Sequence, residues 1–283
     1  MAFVLAVTMR NQRQDLLIGI TIGDFADQTT GSLLQLARRM GVSFVEFNRS
    51  LWNDVQSVLS SMDGMTSGYH LPLMSEDGFD FSCLDHEERI DQTINHLNQN
   101  WRRLNLSYCL SHPPEPELSP VPLRSSVEFM LDNLARLEVP VLLENVQGWS
   151  EKDFDKFCAM ARARLGQKVW GLCFDPAHSF LRAEDLFLRF HEIANDVRCI
   201  HLSDCTLAED AHLPFGSGGV LPVDRLLRFI RAHRWRGIIN LEMRPRSLEQ
   251  LQPVVKSYLK VLRSFDKPKY LRTLGRLLFS AVT

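Results

Sequence analysis

Carboxylates and imidazoles recur at one kind of place in this sequence: the end of a short apolar run, or the loop just beyond it. Val169 to Phe174 leads into Asp175, with His178 three residues on; Val197 to Ile200 leads into His201, with Asp204, Asp210 and His212 following. Thr66 to Tyr69 ends at His70, Leu106 to Ser111 leads into His112, and Glu144 and Glu242 close the runs that begin at Pro140 and Ile238. A divalent cation needs such oxygen and nitrogen donors held rigidly, and the carboxyl ends of buried strands hold ligands more rigidly than loops do. Taken singly, each has a plainer reading. A strand-end His or Glu is commonly a hydrogen-bonded structural residue, and an Asp before Pro176 is a good turn residue. Their repetition at the same end of successive runs argues for one shared metal site.

The elements that must position these side chains alternate. Strand-like runs are Leu16 to Ile22, Ser43 to Phe47, Thr66 to His70, Leu106 to Ser111, Pro140 to Glu144, Val169 to Phe174, Val197 to Leu202 and Ile238 to Glu242. Between them, helical periodicity covers Thr30 to Met40, Asp54 to Ser61, Asp85 to Leu104, Ser125 to Leu137, Glu151 to Leu165, Glu184 to Asn195, Val223 to His233 and Leu248 to Ser264. The third strand carries Gly68 in its interior, a residue that weakens strands. Such β/α repetition predicts a parallel fold, and eight units in roughly 250 residues predict a single closed (β/α)8 TIM barrel rather than an open sheet. Gly23-Asp24-Phe25-Ala26 after the first strand lacks the glycine pattern of a dinucleotide-binding turn. The proline-rich stretch Pro113 to Pro122 and the glycine-rich 215–219 both follow strands on their carboxyl side, where a barrel builds its active site.

With 283 residues and 45% hydrophobic content, the chain can bury a large core, and one domain over 1–283 is expected, with a basic tail over 265–283. Charge is balanced, at 32 basic against 34 acidic residues, which argues against a surface tuned throughout for nucleic acid. Tyr270 to Val282 reads as an amphipathic helix packed on the barrel. The six cysteines have no CxxC spacing and several lie in apolar runs, so they read as reduced core thiols of a cytoplasmic protein. Phe3 to Met9 is apolar but too short to span a membrane and lacks a leader's flanks.

The motifs Gly-Tyr-His-Leu-Pro (68–72), Leu-Glu-Asn (143–145), Phe-Asp-Pro-Ala-His (174–178), His-Leu-Ser-Asp (201–204), the Asp-x-His and Gly-x-Gly run (210–218) and Leu-Glu-Met-Arg-Pro (241–245) together resemble the xylose-isomerase-like TIM-barrel superfamily. That superfamily holds sugar isomerases and epimerases and also the endonuclease IV type of apurinic-site nuclease (AP endonuclease family 2). The resemblance runs from about Ile18 to Leu251. It implies that Glu144, Asp175, His201 and Glu242 hold a common divalent cation, zinc or manganese. In the epimerase branch it implies that Glu144 and Glu242 transfer protons on opposite faces of a small sugar, polyol or related hydroxy-carbonyl compound, through a metal-stabilised enediolate, with His70, His178 and Arg244 near the substrate. In the nuclease branch it implies that His70, His112, His178, Asp210 and His212 extend the site to three zinc ions for phosphodiester cleavage. A homo-oligomer is compatible with either branch.

Departures from both patterns bear on the choice. No Arg or Lys lies between His201 and Phe215, where epimerases of this type place an Arg. The stretches after His70 and His112 carry Glu76, Asp77, Asp80, Glu115 and Glu117 and no basic residue up to Cys83 and Pro122 respectively, so a DNA backbone there meets repulsion. Arg244 could grip a substrate anion or pair with the acidic loop. The missing Arg counts against an epimerase, but the four-ligand set, the acidic loops and the Leu-Glu-Met-Arg-Pro run (241–245) favour the isomerase or epimerase reading, with the multi-zinc phosphodiesterase as alternative. Glu46 ends the second strand and could reach the substrate, but is expected rather to fix a neighbouring loop or an Arg, and Asp204 to orient His201 or His212.

Overall fold

The computed structural model describes residues 15–280 apart from 26, 116, 119–121 and 246, so Phe3 to Met9, part of the proline-rich loop and Arg246 lie outside the described residues. Eight parallel strands, β1 (Leu17–Ile22), β2 (Phe44–Phe47), β3 (Thr66–His70), β4 (Leu106–Ser111), β5 (Val141–Glu144), β6 (Val169–Phe174), β7 (Val197–His201) and β8 (Ile238–Leu241), close in sequence order. Closure is made by β1 pairing with β8, Gly19 opposite Asn240. The expected (β/α)8 barrel is therefore the observed one.

Alternation along each strand explains both the core and the site. Outward positions such as Val45, Phe47, Val141, Leu143, Ile200 and Ile239 are buried against the helices. Burying each Leu- or Ile-sized side chain contributes about 1.5–3 kcal/mol. Inward positions form a separate cluster of Phe44, Tyr108, Leu110, Leu142, Cys173, Cys199 and Ile238. One more step of two residues along the same strands reaches Glu46, His112, Glu144, Asp175 and His201. The period of two thus plugs the barrel with apolar groups and crowns that plug with ligands.

Gly68 is accounted for by this interior. A Cβ there would lie 2.5 Å from the ring of Tyr108, so the missing side chain makes room for that ring. Gly19 similarly faces Phe44, whose ring centroid is 6.0 Å from that of Tyr108.

The helices match expectation within a few residues, with two additions. Pro176–Leu181 is a helix because Asp175 accepts the N–H groups of Ala177 and His178 and Pro176 occupies its first turn. Met74–Asp77 forms a single turn closed by Gly78 at φ 68°. The basic tail is helical over Lys267–Ser280 and packs on the helices Leu251–Phe265 and Thr30–Met40. Lys269 donates to Ser43 at 2.8 Å, and Thr273 is buried. All six cysteines are buried free thiols, and no helix among the described residues is long and apolar enough to cross a membrane.

Candidate active site

At the carboxyl mouth of the barrel, the ligand atoms of Glu144, Asp175, His201 and Glu242 all lie within 4.8 Å of one another, and all four residues are buried. His201 Nδ1 stands 2.8 Å from Glu242 Oε2 and 3.2 Å from Glu144 Oε1. Among the described residues, three further groups share a residue with this tetrad: Cys173 and Cys199 with His201, and two that flank it. His70, His112 and Glu144 form one; Asp175, His178 and Asp210 form the other. His212 joins the second through a 3.2 Å contact of its Nε2 with Asp210 Oδ2. Every ligand candidate read from the sequence therefore converges on one mouth.

Each imidazole has one nitrogen tied down. His70 Nδ1 donates to the Leu71 carbonyl at 2.8 Å, His178 Nδ1 to the Asn145 carbonyl at 2.7 Å, and His212 Nδ1 to the Glu242 carbonyl at 3.1 Å. A carbonyl only accepts, so these rings carry their proton on Nδ1 and present Nε2 to the centre. His201 is reversed: its Nε2 is tied down and its Nδ1 faces the centre.

The site fits a cation. Glu144 Oε1, Asp175 Oδ2, His70 Nε2 and His201 Nδ1 are buried and make no hydrogen bond. Leaving such atoms unsatisfied costs on the order of 1–3 kcal/mol each, a cost that a shared divalent ion relieves. The donor set of carboxylates and imidazoles suits zinc or manganese. Electrostatics point the same way. Burial raises the Glu144 pKa, but His201 and His112 outweigh it and hold the carboxyl well below the usual range. Glu242 is likewise held low, burial being overcome by His212 and His201. Asp175 is pushed up to about 7 by burial, with His178 opposing and the charges of Asp210, Glu144 and Glu242 adding. Burial opposes protonation of His201, yet the groups around it, Cys173, Glu144, Glu46 and Glu242, raise its pKa well above the ordinary value. Burial opposes protonation of His178 as well, but Asp175 and Asp210 raise its pKa, whereas burial lowers that of His112 despite Glu144; negative charge that draws protons onto two of the imidazoles is charge that a cation can neutralise.

Asn145 holds the second flanking group in place. Its Oδ1 accepts the Asp175 N–H at 2.8 Å, its Nδ2 donates to the Asp175 carbonyl at 2.8 Å, and its own carbonyl orients His178. Sequence reading quoted Asn145 in a motif without giving it this role. Asp204 departs from expectation. Rather than touching His201 or His212, its Oδ1 accepts the N–H groups of Cys205 at 3.0 Å and Leu221 at 2.9 Å, closing the loop that carries Asp210 and His212. Glu46 also departs: it holds neither a loop nor an Arg but lies fully buried beneath His201. Arg244 bonds Glu76 and lies 3.3 Å from Glu242 Oε1, so it pairs with the acidic loop at the rim of the mouth. His70, Glu242 and Arg244 line a cavity of about 350 Å³ with Phe25, Glu76 and Asp77.

An eight-stranded parallel barrel with carboxylates and imidazoles gathered at its carboxyl mouth, able to hold a cation, defines a class of (β/α)8 proteins. Within that class the chain belongs to the xylose isomerase-like TIM barrel family, whose sequence profile matches residues 34–265. Among solved structures, it is similar to 3-keto-D-glucoside 4-epimerase from E. coli, at 16% identity and a TM-score of 0.65, covering 87% of this chain and 99% of that one. It is similar to D-allulose 3-epimerase from Methylomonas sp. in complex with D-allulose, at 15% identity and a TM-score of 0.62 over 95% of this chain and 97% of that one. It is also similar to an AP endonuclease of family 2 from Brucella melitensis, at 12% identity and a TM-score of 0.63 over 82% and 94%. At these identities the likenesses establish the fold alone. No curated protein matches the sequence.

Proposed function

We propose that this protein is a divalent-metal-dependent isomerase or epimerase acting on a small sugar, polyol or related hydroxy-carbonyl compound. The observation that carries this reading is the approach of both Glu144 and Glu242 to His201 Nδ1, at 3.2 and 2.8 Å. Their strands, β5 and β8, stand apart around the closed barrel, so the carboxylates reach the centre from different sides. Glu144, Asp175, His201 and Glu242 would hold the cation, zinc or manganese. When bound, it supplies positive charge against vicinal substrate oxygens. Glu144 and Glu242, both held toward the ionised form, are each able to take a proton from the carbon next to the substrate carbonyl. Removal by one and return by the other, on the opposite face, inverts that carbon; return at the neighbouring carbon isomerises the compound. His70, His178 and Arg244 would contact the substrate. The same reading places the protein in the cytoplasm, where its thiols stay reduced.

A second reading, a multi-zinc phosphodiesterase, is favoured by one observation: the two flanking groups share Glu144 and Asp175 with the tetrad, giving room for up to three cations. Against it stand the acidic residues Glu76, Asp77 and Glu115 at the mouth and the engagement of Arg244 with carboxylates. The test is to load the protein with zinc or manganese and incubate it with a panel of ketopentoses and ketohexoses in deuterated water. The proposal expects deuterium at the carbon beside the carbonyl of at least one sugar, and loss of that exchange in Glu144→Gln. Retained exchange in the variant removes Glu144 from the reaction. Cleavage of a phosphodiester with no exchange into any sugar replaces this reading with the second.

A further inference from the structure

His201 differs from His70, His178 and His212 in what fixes its ring, while His112, like it, meets a carboxylate, Glu144 Oε2 at 3.0 Å. The first three are tied to backbone carbonyls, whereas His201 Nε2 lies 3.1 Å from Glu46 Oε2, with both residues fully buried. Glu46 is itself held from several strands. Tyr108 on β4 donates its hydroxyl to Oε2 at 2.6 Å, and Asn240 on β8 donates from Nδ2 to Oε1 at 3.2 Å. Asn240 also donates to Thr21 on β1 at 2.8 Å, and the Thr21 hydroxyl lies 3.5 Å from Glu46 Oε1. The carboxylate is thus locked by β1, β4 and β8 before His201 is added, and its fourth contact is the imidazole. A carboxylate accepts and does not donate, so it holds a proton of His201 on Nε2; Glu144 and Glu242 face Nδ1 at 3.2 and 2.8 Å, and a cation bound there would take the place of the proton they draw to that atom and meet its lone pair.

We infer that Glu46 is a positioning residue for the metal site: it sets the tautomer and ring angle of His201 and, as a buried negative charge behind the ring, strengthens Nδ1 as a donor to a divalent cation. This rests on the metal-dependent reading above. Carboxylate partners behind metal-bound imidazoles act by this combination of orientation and polarisation. A purely structural role, filling and satisfying the barrel interior, is the competing account, and Tyr108 separates the two. Tyr108 touches the same carboxylate oxygen and is equally buried, but its other hydroxyl contact is Cys199 Sγ at 3.5 Å rather than a carboxylate or imidazole of the tetrad.

The test measures zinc affinity of the metal-stripped, full-length protein by chelator competition for wild type, Glu46→Gln and Tyr108→Phe. Glu46→Gln keeps the shape and removes the charge. The inference expects its zinc affinity to fall roughly 10- to 100-fold, while Tyr108→Phe stays within about threefold of wild type even if less stable. Equal losses in the two variants, or no loss in Glu46→Gln, overturn it. Should Glu46→Gln not fold, histidine-selective nitrogen NMR of the zinc-loaded wild type decides. A His201 proton on Nε2, protected from exchange, supports the inference, and a proton on Nδ1 overturns it. Wild-type protein that takes up no zinc removes the metal reading and this inference with it, whereas zinc uptake unaffected by Glu46→Gln removes this inference alone.

Discussion

Single residues carry most of the site's chemistry here because each ligand is oriented by a neighbour that can be removed. Asn145→Ala takes away both bonds to the Asp175 backbone, and leaving these groups unpaired is expected to cost about 1–3 kcal/mol. Denaturant unfolding of the variant, with and without added zinc, checks this, and the zinc-induced stabilisation should shrink as well. Asp175 gives a pH dependence. Its pKa is raised from 3.8 to about 7 in the cation-free chain, so the protonated form favours the fold. That contribution is fully present below 3.8 and lost as pH rises through about 7. A bound cation prefers the ionised form and reverses the trend. The melting-temperature increase caused by zinc should therefore be larger at about pH 8 than at about pH 5.5, and a pH-independent increase would exclude Asp175 as a ligand.

Strands and turns decide where those residues point, and much of this was legible in the sequence. β3, β4 and β6 have the bounds their apolar runs predict, and the ligands fall at strand ends because the inward period of two continues from the apolar plug into the crown. Helix starts were less legible. Glu184 reads as helical, yet the helix begins at Leu186 because Asp185 caps it, accepting the N–H groups of Phe187 and Leu188. The Asp-Pro sequence at 175–176 reads as a turn, although the same pair starts a helix once Asp175 is free to cap. The roles of Glu46 and Asp204 are not legible in the sequence, for a common physical reason. Their partners, His201 in one case and Cys205 and Leu221 in the other, are fixed by closure of the barrel and of a loop, and periodicity does not encode either. Two substitutions test the elements. Gly68→Ala puts a Cβ 2.5 Å from the buried Tyr108 ring, and the overpacking should cost about 1–3 kcal/mol in chemical denaturation. Ser150→Ala removes the cap that accepts the Asp153 N–H at 3.1 Å, with an expected loss of about 1 kcal/mol.

For the molecule as a whole, the barrel gathers acidic groups at one mouth and offsets them with imidazoles, leaving a cation to complete the balance. Breaking the contact of Arg244 with Glu76 and Glu242 by Arg244→Ala should raise KM for a turned-over sugar more than it lowers kcat if the guanidinium meets substrate; an unchanged KM confines it to ion pairing. The acidic mouth also predicts weak retention of duplex DNA even at low salt, measurable by fluorescence anisotropy. The most direct measurement is elemental analysis of purified protein equilibrated with zinc or manganese, beside an Asp175→Asn/His201→Ala double variant. The account predicts at least one tightly held ion per wild-type chain and its loss from the variant. A folded wild-type chain that retains no divalent ion, or a variant that retains as many as wild type, would contradict it.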